Sequence, residues 1–220
     1  MQRQLEPELM EDQQQVLAYA EADFSSGDAQ MLNLVDQLVQ SSGSLPVGST
    51  VLDLGCGPGN ITLRLAEHFP QARVIGLDGS KAMLSVARQR STQRGLPVAF
   101  QCCDLRQVPD LQVDLLVSNS LLHHLHDPSL LWHITRLLAA PGCRVLHRDL
   151  RRPMSFDAVL ALQQKHLSLA PPVLIKDFVA SLQAAFTVQE VLHQLSQAGL
   201  DRLMVEEEDD RYLVVSGLVN

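Results

Sequence analysis

The sequence predicts an α/β fold whose doubly wound, mostly parallel sheet has seven strands. An apolar run over residues 51–54 passes directly into a turn with three glycines in five residues, and helical spacing follows from Ile61. Apolar strand-like runs then alternate with helical segments as far as residue 147, which is typical of parallel sheets covered by helices. The last two strand-like runs are close together in sequence, so they must pair antiparallel.

Length and composition predict one globular domain without a nucleic-acid surface. A chain of 220 residues can bury a single core, and 46% apolar with 19% charged residues is unlike a disordered chain. The net charge of −8 disfavours nucleic acid, whose binding needs clustered cations. The start of the chain has no apolar signal core, and no apolar run reaches the length of a membrane span. A cytoplasmic protein without membrane contact is expected.

The N-terminal part is expected to form two helices before the sheet begins. The first covers residues 11–22, and Asp28 is the expected N-cap of the second. Residues 1–46 are interpreted as helices that close over the core as a lid, and residues 47–150 as the ligand-binding core. Residues 151–186 are interpreted as a helical insertion and second lid, and residues 187–220 as the final helix and strand hairpin, all within one domain.

The remaining elements are placed by the same patterns. Strands are expected at residues 51–54, 72–78, 98–102, 113–119 and 143–147, with Pro141-Gly142 turning the chain into the fifth. Ser80 is expected to cap a helix that ends at Gly95, and a further helix spans residues 128–138. Helices at 155–170 and 175–185 precede a capping box at 187–190. Closing strands at 203–206 and 212–217 flank residues 206–210, interpreted as a solvated acidic hairpin tip.

The glycine turn resembles a nucleotide cradle but departs from the dinucleotide fingerprint. Asn60 stands where that fingerprint has its third glycine, and Pro58 lacks the N–H that a diphosphate uses. Asp53 places a carboxylate beneath the turn, which repels anions and attracts cations. The turn therefore favours a ligand that carries an ammonium over one that carries a phosphate.

Two further acids follow the second and third predicted strands. Asp78 lies about twenty residues past the turn, where an acid accepts hydrogen bonds from ribose hydroxyls. Asp104 is placed to accept from an exocyclic adenine amine, with Met83 and Leu105 on either side of the ring. Acids after strands one, two and three, in register with the glycine turn, form a joint signal for an adenosyl ligand.

These motifs make the chain similar to the class I S-adenosylmethionine-dependent methyltransferases, from about residue 47 to residue 220. The resemblance implies that S-adenosylmethionine is the cofactor, S-adenosylhomocysteine the product and in-line methyl transfer the chemistry, with positioning and exclusion of water as the enzyme's part. It implies that the methionine moiety contacts the glycine turn, the ribose Asp78, the adenine Asp104 and Leu105, and the sulfonium the backbone near Asn119. The cofactor-binding residues expected on this basis are Asp53, Gly55, Cys56, Gly57, Asp78, Gly79, Met83, Asp104, Leu105, Asn119 and Ser120.

A histidine cluster follows the fourth predicted strand. His123, His124 and His126 have neither metalloprotease spacing nor partnered cysteines, so no metal is expected. A histidine pair here is similar to that of small-molecule methyltransferases of the quinone-biosynthesis type, in which one histidine borders the active site. His123 and His124 are the catalytic candidates, because a histidine near neutral pKa can accept a proton. For His124 a loop-shaping role is an equal alternative, and for His126 it is the favoured one.

Acceptor-binding residues are expected outside the core motifs. Tyr19 and Phe24 lie in the N-terminal segment, and Arg148, Arg151 and Arg152 follow the fifth predicted strand. One hypothesis is that Arg148 and Arg152, with a lysine of the insertion, bind a carboxylate or phosphate of the acceptor. The alternative is that these arginines are solvated surface residues.

The predicted function is methyl transfer to an oxygen, nitrogen or sulfur atom of a small molecule, by a monomer or a homodimer. The alternatives are an RNA or protein methyltransferase, a nicotinamide-dependent oxidoreductase and a non-catalytic cofactor-binding protein. The acidic charge disfavours RNA, and Asn119-Ser120-Leu121-Leu122 lacks the Asn-Pro-Pro-aromatic motif. Pro58 and Asn60 disfavour the oxidoreductase.

Overall fold

The computed structural model describes residues 1–10 and 12–219, and in this part of the chain helices and strands alternate as the sequence predicts. The helices are α1 (Gln13–Glu21), α2 (Ser25–Ser42), α3 (Asn60–His68), α4 (Lys81–Arg94), α5 (Ser129–Leu138), α6 (Phe156–Leu167), α7 (Pro172–Ala184) and α8 (Val188–Gln197). The strands are β1 (Thr50–Leu54), β2 (Arg73–Asp78), β3 (Ala99–Cys102), β4 (Val113–Asn119), β5 (Ala139–Leu150), β6 (Met204–Glu207) and β7 (Tyr212–Val219). Short 3-10 turns are formed by Leu105–Gln107 and Leu122–His124.

The strands form one seven-stranded sheet in the order β3-β2-β1-β4-β5-β7-β6. The first five strands are parallel, and β7 pairs antiparallel with both β5 and β6. The predicted fold class is therefore confirmed. The chain winds outward from β1 to β3 and then crosses back to β4, so the strand order reverses between β1 and β4. A crevice opens at the carboxyl ends of such a pair.

Both faces of the sheet are covered, which explains the nearly continuous apolar strands. In β1, Val51 packs in one core with Val35 of α2 and Leu65 of α3. Leu52 packs in the other core with Trp132 of α5, and α8 covers the same face. None of the helices among the described residues is long and apolar enough to cross a membrane.

Several local signals act as predicted. The Ser80 hydroxyl accepts the N–H of Met83 at 3.3 Å, so Ser80 caps α4. Gly95 ends that helix in the left-handed conformation, with φ 65°. Thr187 and Glu190 form the reciprocal capping box that opens α8.

The predicted start of the second helix is wrong. The helix α2 begins at Ser25 with Phe24 at its N-cap position and without a side-chain cap, and the Asp23 carboxylate accepts the N–H of Ser25 at 2.9 Å. Asp28 lies inside the first turn, where its N–H donates to the carbonyl of Phe24 at 2.8 Å. Its buried carboxylate accepts from Arg64 at 3.3 Å, and this tertiary pair is invisible in local sequence.

The predicted start of the fifth strand is also wrong. The strand β5 begins at Ala139, and Pro141-Gly142 lies within it rather than before it. Its pairing with β4 is regular only from Arg144, because the register shifts after Ala139. Gly142 has φ 79°. The Pro-Gly pair therefore produces an irregularity in a strand rather than a turn between elements.

The acidic hairpin between β6 and β7 is not merely solvated, contrary to the sequence interpretation of residues 206–210. Glu208 forms an ion pair with the buried Arg148, with Oε2 and Nε 2.5 Å apart. Asp210 pairs with His166 of α6 at 3.0 Å. The run is acidic because it meets cations from β5 and α6, which only the fold brings near it.

Candidate functional site

A cavity of about 290 Å³ opens at the crevice between β1 and β4. Its walls are the glycine turn after β1, the end of β2, the loops after β3 and β4, the link between α1 and α2, and residues 8–10. Its position matches the ligand site expected where the strand order of an α/β sheet reverses.

The glycine turn forms the floor of the cavity through conformations that favour glycine. Gly55, Gly57 and Gly59 have φ of 67°, 52° and 83°. A Cβ at Gly55 would lie 2.7 Å from a methyl carbon of Leu121, whereas a Cβ at Gly57 would meet nothing within 4 Å. Gly57 thus leaves its backbone open to close approach by a ligand, while Gly55 is required by the packing behind it.

Asp78 is held rigidly at the end of β2. Its Oδ2 accepts the N–H of Gly57 at 2.8 Å, and its Oδ1 accepts the N–H of Ser80 at 2.7 Å. Burial raises the pKa of this carboxyl, and the two backbone hydrogen bonds lower it in part. Each oxygen keeps a further lone pair, so Asp78 is positioned to accept two hydroxyl donors.

Asp53 lies beneath the turn as a buried acid. Burial raises its pKa to about 7, while a hydrogen bond from the Thr62 hydroxyl, 2.6 Å from Oδ2, acts in the opposite direction. The negative charge of Asp78 raises the pKa further. A cationic ligand group would reverse this effect, because it stabilises the ionised carboxylate.

The opposite end of the cavity is covered by residues 8–10. Leu9 lies against Gly79, where an added Cβ would be 2.7 Å from Leu9 Cδ2. Arg106 donates to Glu8 at 3.0 Å and lies 3.5 Å from Asp104 Oδ1, so it ties this segment to the loop after β3. The sequence offered no signal for Glu8 and Leu9, because nothing local relates them to a loop about a hundred residues away.

The loop after β4 contains a residue with a strained backbone conformation. Ser120 has φ 59°, which places a residue other than glycine in the left-handed region. Its N–H donates to the carbonyl of Arg148 at 2.8 Å. This backbone conformation directs the chain along the cavity between Asn119 and Leu121, both of which line it.

Arg148 is a buried cation on the cavity wall. Its side chain is 1% exposed, its Nη2 donates to Gln30 at 3.2 Å and its Nη1 to Asn119 at 3.3 Å. The guanidinium lies 3.6 Å from the centroid of the Tyr212 ring. Together with the Glu208 ion pair, these contacts hold the guanidinium of Arg148 in one position on the cavity wall.

Arg152 does not reach the cavity, contrary to its predicted role in acceptor binding. Its guanidinium donates to Glu190 at 2.6 Å and to the carbonyl of Ala185 at 3.0 Å. Arg151 points towards the acidic hairpin, with Nη2 3.3 Å from Glu207. The strand β5 ends at Leu150, and the three guanidinium groups contact different partners, so the three arginines do not act as one cluster. They are also not simply solvated, as the alternative held.

The two histidines that were predicted to be catalytic also lie in different places. His124 lines the cavity, whereas His123, a predicted catalytic residue, is 2% exposed and does not line it. The Nδ1 of His123 lies 2.5 Å from Asp149 Oδ1. Burial lowers the pKa of His123, but Asp149 and Glu6 raise it by more, so the net shift is upward. Burial and the neighbouring His123 lower the pKa of His124 to about 3.

The cavity brings together most of the predicted site residues. All of the predicted cofactor-binding residues line it, as do Tyr19, Phe24, Arg148 and His124. Their roles stay predictions. Sequence reasoning missed a further group of lining residues, Glu8, Leu9, Met10, Asp28, Arg106 and Tyr212. None of the lining residues comes from 151–186, the predicted second lid.

Comparison with known proteins relates the core of this chain to methyl transfer. Residues 51–142 match the family model described as "Methyltransferase domain". A trans-aconitate 2-methyltransferase of Methylobacterium nodulans is 40% identical over 124 residues, covering 52% of this chain and 46% of that protein. One from an Azoarcus species is 40% identical over 119 residues, covering 49% and 46%. The matched segments thus span about half the length of these relatives.

Solved structures share the fold at low identity. A SAM-dependent methyltransferase from Aquifex aeolicus has a TM-score of 0.62 at 20% identity, covering 84% of this chain and 89% of that one. The plantazolicin methyltransferase BpumL, in complex with a pentazolic desmethylPZN analog and SAH, has a TM-score of 0.71 at 14% identity, covering 93% and 89%. Both share the Rossmann-like fold of this chain.

Proposed function

We propose that this chain, whose residues 51–142 match a methyltransferase-domain family model, transfers a methyl group from S-adenosylmethionine to an oxygen, nitrogen or sulfur atom of a small molecule. The observation that carries the proposal is the cavity itself. It combines an open glycine turn with acids at the carboxyl ends of the first three strands, in the register that an adenosyl cofactor needs.

The cofactor supplies an electrophilic methyl group on a sulfonium, and the residues of the chain bind and orient it. The backbone at Gly57 admits the methionine part, and ionised Asp53 favours its ammonium. Asp78 accepts from the ribose hydroxyls, while Asp104 accepts from the adenine amine. Met83 and Leu105 contact the ring faces, and the strained backbone at Asn119 and Ser120 lies at the sulfonium end.

The acceptor would bind beside the aromatic residues of the cavity. Tyr19 and Phe24 stack with ring centroids 4.7 Å apart and lie on the cavity wall, as does Tyr212. His124 is neutral at pH 7 because its pKa is about 3, so its part is a hydrogen bond to the acceptor rather than removal of a proton. These residues exclude water and align the nucleophile, which is the main requirement of in-line transfer.

The guanidinium of Arg148 favours the binding of an acceptor that carries one carboxylate or phosphate. The guanidinium is prepositioned on the cavity wall, but Glu208 already opposes its charge. An anionic group must therefore share Arg148 with Glu208. The cytoplasmic location, the monomeric or homodimeric state and the lid role of residues 151–186 stay predictions from the sequence.

Ligand-dependent thermal stability tests the cofactor. S-adenosylmethionine and S-adenosylhomocysteine at a hundred times their Kd should each stabilise the protein by about 2.7 kcal/mol, whereas NAD(H) should have no effect. Mass spectrometry of a metabolite pool incubated with enzyme and cofactor then identifies the acceptor by its gained methyl group. Stabilisation by NAD(H) alone would contradict the proposal.

A matched pair of arginine variants tests the acceptor side. Arg148→Met should raise the acceptor KM at least tenfold, since a charge-assisted hydrogen bond contributes about 1.5–3 kcal/mol. Arg152→Met removes an equally charged side chain that contacts Glu190 outside the cavity, so the KM should stay unchanged. Equal KM values for Arg148→Met and wild type would remove Arg148 from the acceptor site.

A further inference from the structure

A second cluster of chemically capable side chains lies behind the cavity wall. Glu6, His123 and His124 each contribute one ligand-type atom to this cluster, and these atoms lie within 4.8 Å of one another. Glu6 Oε1 is 3.5 Å from His123 Nε2 and 3.1 Å from His124 Nδ1. The side chains of Glu6, His123 and His124 are only 8%, 2% and 14% exposed.

The surrounding contacts leave the atoms that face this point free. Asp149 Oδ1 accepts a hydrogen bond from His123 Nδ1–H, and Asp149 Oδ2 accepts the N–H of Leu122 at 2.6 Å. In the neutral ring the lone pair of His123 is therefore on Nε2, which faces Glu6. Ser181 donates to the other oxygen of Glu6 at 3.1 Å. Glu6 Oε1 and His124 Nδ1 are buried and have no hydrogen-bond partner among the described residues.

We propose that Glu6 Oε1, His123 Nε2 and His124 Nδ1 bind a divalent transition-metal ion of the zinc class. Zinc bonds of about 2.0–2.1 Å to nitrogen and oxygen give ligand-to-ligand distances of about 3.3 Å in a tetrahedron. The observed 3.1 and 3.5 Å lie on either side of that value. Two imidazoles and a carboxylate are a set that zinc accepts.

Asp149 completes the arrangement as a positioning residue. A histidine ligand usually donates its other ring N–H to a carboxylate, which fixes the tautomer and the direction of the lone pair. Asp149 does this for His123 and is itself 2% exposed and held by a backbone N–H. Two buried carboxyl groups, those of Glu6 and Asp149, thus flank this point, and a divalent ion stabilises their ionised forms.

A proton on His123 is the competing way to satisfy the cluster. A protonated His123 ring would donate from Nδ1 to Asp149 and from Nε2 to Glu6. However, His123 Nε2 and Glu6 Oε1 are 3.5 Å apart, which is too long for a good hydrogen bond. Protonation of His123 also leaves His124 Nδ1 buried without a partner, which is costly. A shared cation satisfies all three atoms at once.

The ion would link the N-terminal segment to the cavity. Glu6 precedes residues 8–10, which cover the cofactor end, and His124 lies on the cavity wall itself. Arg3 supports the same segment by donating to the carbonyls of His123 and Leu125 at 3.0 and 2.9 Å. Binding therefore holds the cover closed, and the cluster escaped sequence reasoning because Glu6 is distant from both histidines in the chain.

Metal stoichiometry of the 220-residue chain tests the site without any measurement of activity. The protein is stripped with a chelator, titrated with Zn²⁺ and desalted, and bound zinc is measured by mass spectrometry. One ion per chain is expected. Glu6→Gln and His124→Gln should each lower the zinc affinity at least tenfold, whereas His133→Gln, an exposed histidine of α5, should leave it unchanged.

Cobalt gives a second readout on the unaltered protein. Co²⁺ bound to a four-coordinate site of this kind should produce intense visible absorption that stoichiometric Zn²⁺ removes. Retention of less than one zinc ion per chain, or equal zinc affinity in wild type and Glu6→Gln, would overturn the proposal in favour of a proton-only cluster. An equal loss of affinity in His133→Gln would overturn it in favour of surface binding.

Discussion

Replacing Asp53 by Asn should change how the affinity for S-adenosylhomocysteine depends on pH. Asp53 is buried beneath the glycine turn, and burial raises its pKa to about 7 in the ligand-free protein. The ammonium of the ligand favours the ionised carboxylate, so binding should return the pKa towards its ordinary value. Binding in the wild type is then coupled to the loss of a proton from Asp53.

The size of the effect follows from that pKa. With a pKa of about 7, roughly 3% of Asp53 is ionised at pH 5.5 and about half at pH 7.0. The affinity should therefore rise about fifteenfold over this range, which corresponds to about 1.6 kcal/mol. An α-amino group has a pKa of about 7.7–8.0, so the ligand stays mainly cationic over the same range.

Isothermal titration calorimetry at pH 5.5, 6.0, 6.5 and 7.0 measures this dependence. Asp53→Asn should bind more weakly at pH 7.0 and should lack the Asp53-dependent part of the rise. Asp104→Asn is the matched control, because it removes another carboxylate that lines the cavity and leaves Asp53 in place. It should lower the affinity by a similar factor at every pH.

Two outcomes would refute this reasoning. If wild type and Asp53→Asn gained affinity equally between pH 5.5 and 7.0, the proton would come from another group. If the wild-type affinity were independent of pH, Asp53 would either be ionised before binding or lie too far from the ammonium.

Three further changes have expected outcomes. The pKa of Asp53 is higher in the folded protein than in the unfolded chain, so the wild type loses stability as pH rises from about 4 to about 7. At pH 8, Asp53→Asn should therefore raise the free energy of urea unfolding by up to about 4 kcal/mol. An unchanged urea midpoint would contradict this. Gly57→Ala should cost about 1–2 kcal/mol of stability and abolish S-adenosylhomocysteine binding. Gly55→Ala should cost more stability, because its Cβ meets Leu121. Equal urea midpoints for the two variants would show that the Leu121 side chain moves aside freely. Burial lowers the pKa of His147 to about 3, so protonation of this histidine in the unfolded chain reduces the stability of the protein as pH falls below 6.5. Between pH 6.5 and 4.5 the wild type should lose about 2 kcal/mol more stability than His147→Gln. Parallel stability curves would rule this out.

Local patterns predicted most of the fold. The apolar runs of β1 and β4 and the capping signals at Ser80 and Thr187 specify elements through neighbours in sequence. Two of the errors concern acids with distant partners. Asp28 of α2 pairs with Arg64, and the acidic hairpin after β6 meets Arg148. Both are tertiary contacts that no local window contains.

Some features of the candidate site could likewise be predicted from the sequence, whereas others depend on tertiary contacts. The sequence by itself predicted that Asp53, Asp78 and Asp104 lie at one site, because the carboxyl ends of parallel strands meet at one edge of the sheet. Only the tertiary structure decided that Arg148 faces the cavity while Arg152 faces Glu190, since side-chain direction depends on packing against β7 and α8. It alone brought Glu6 to the histidine pair, because the path of the N-terminal segment follows from long-range contacts and not from its own pattern.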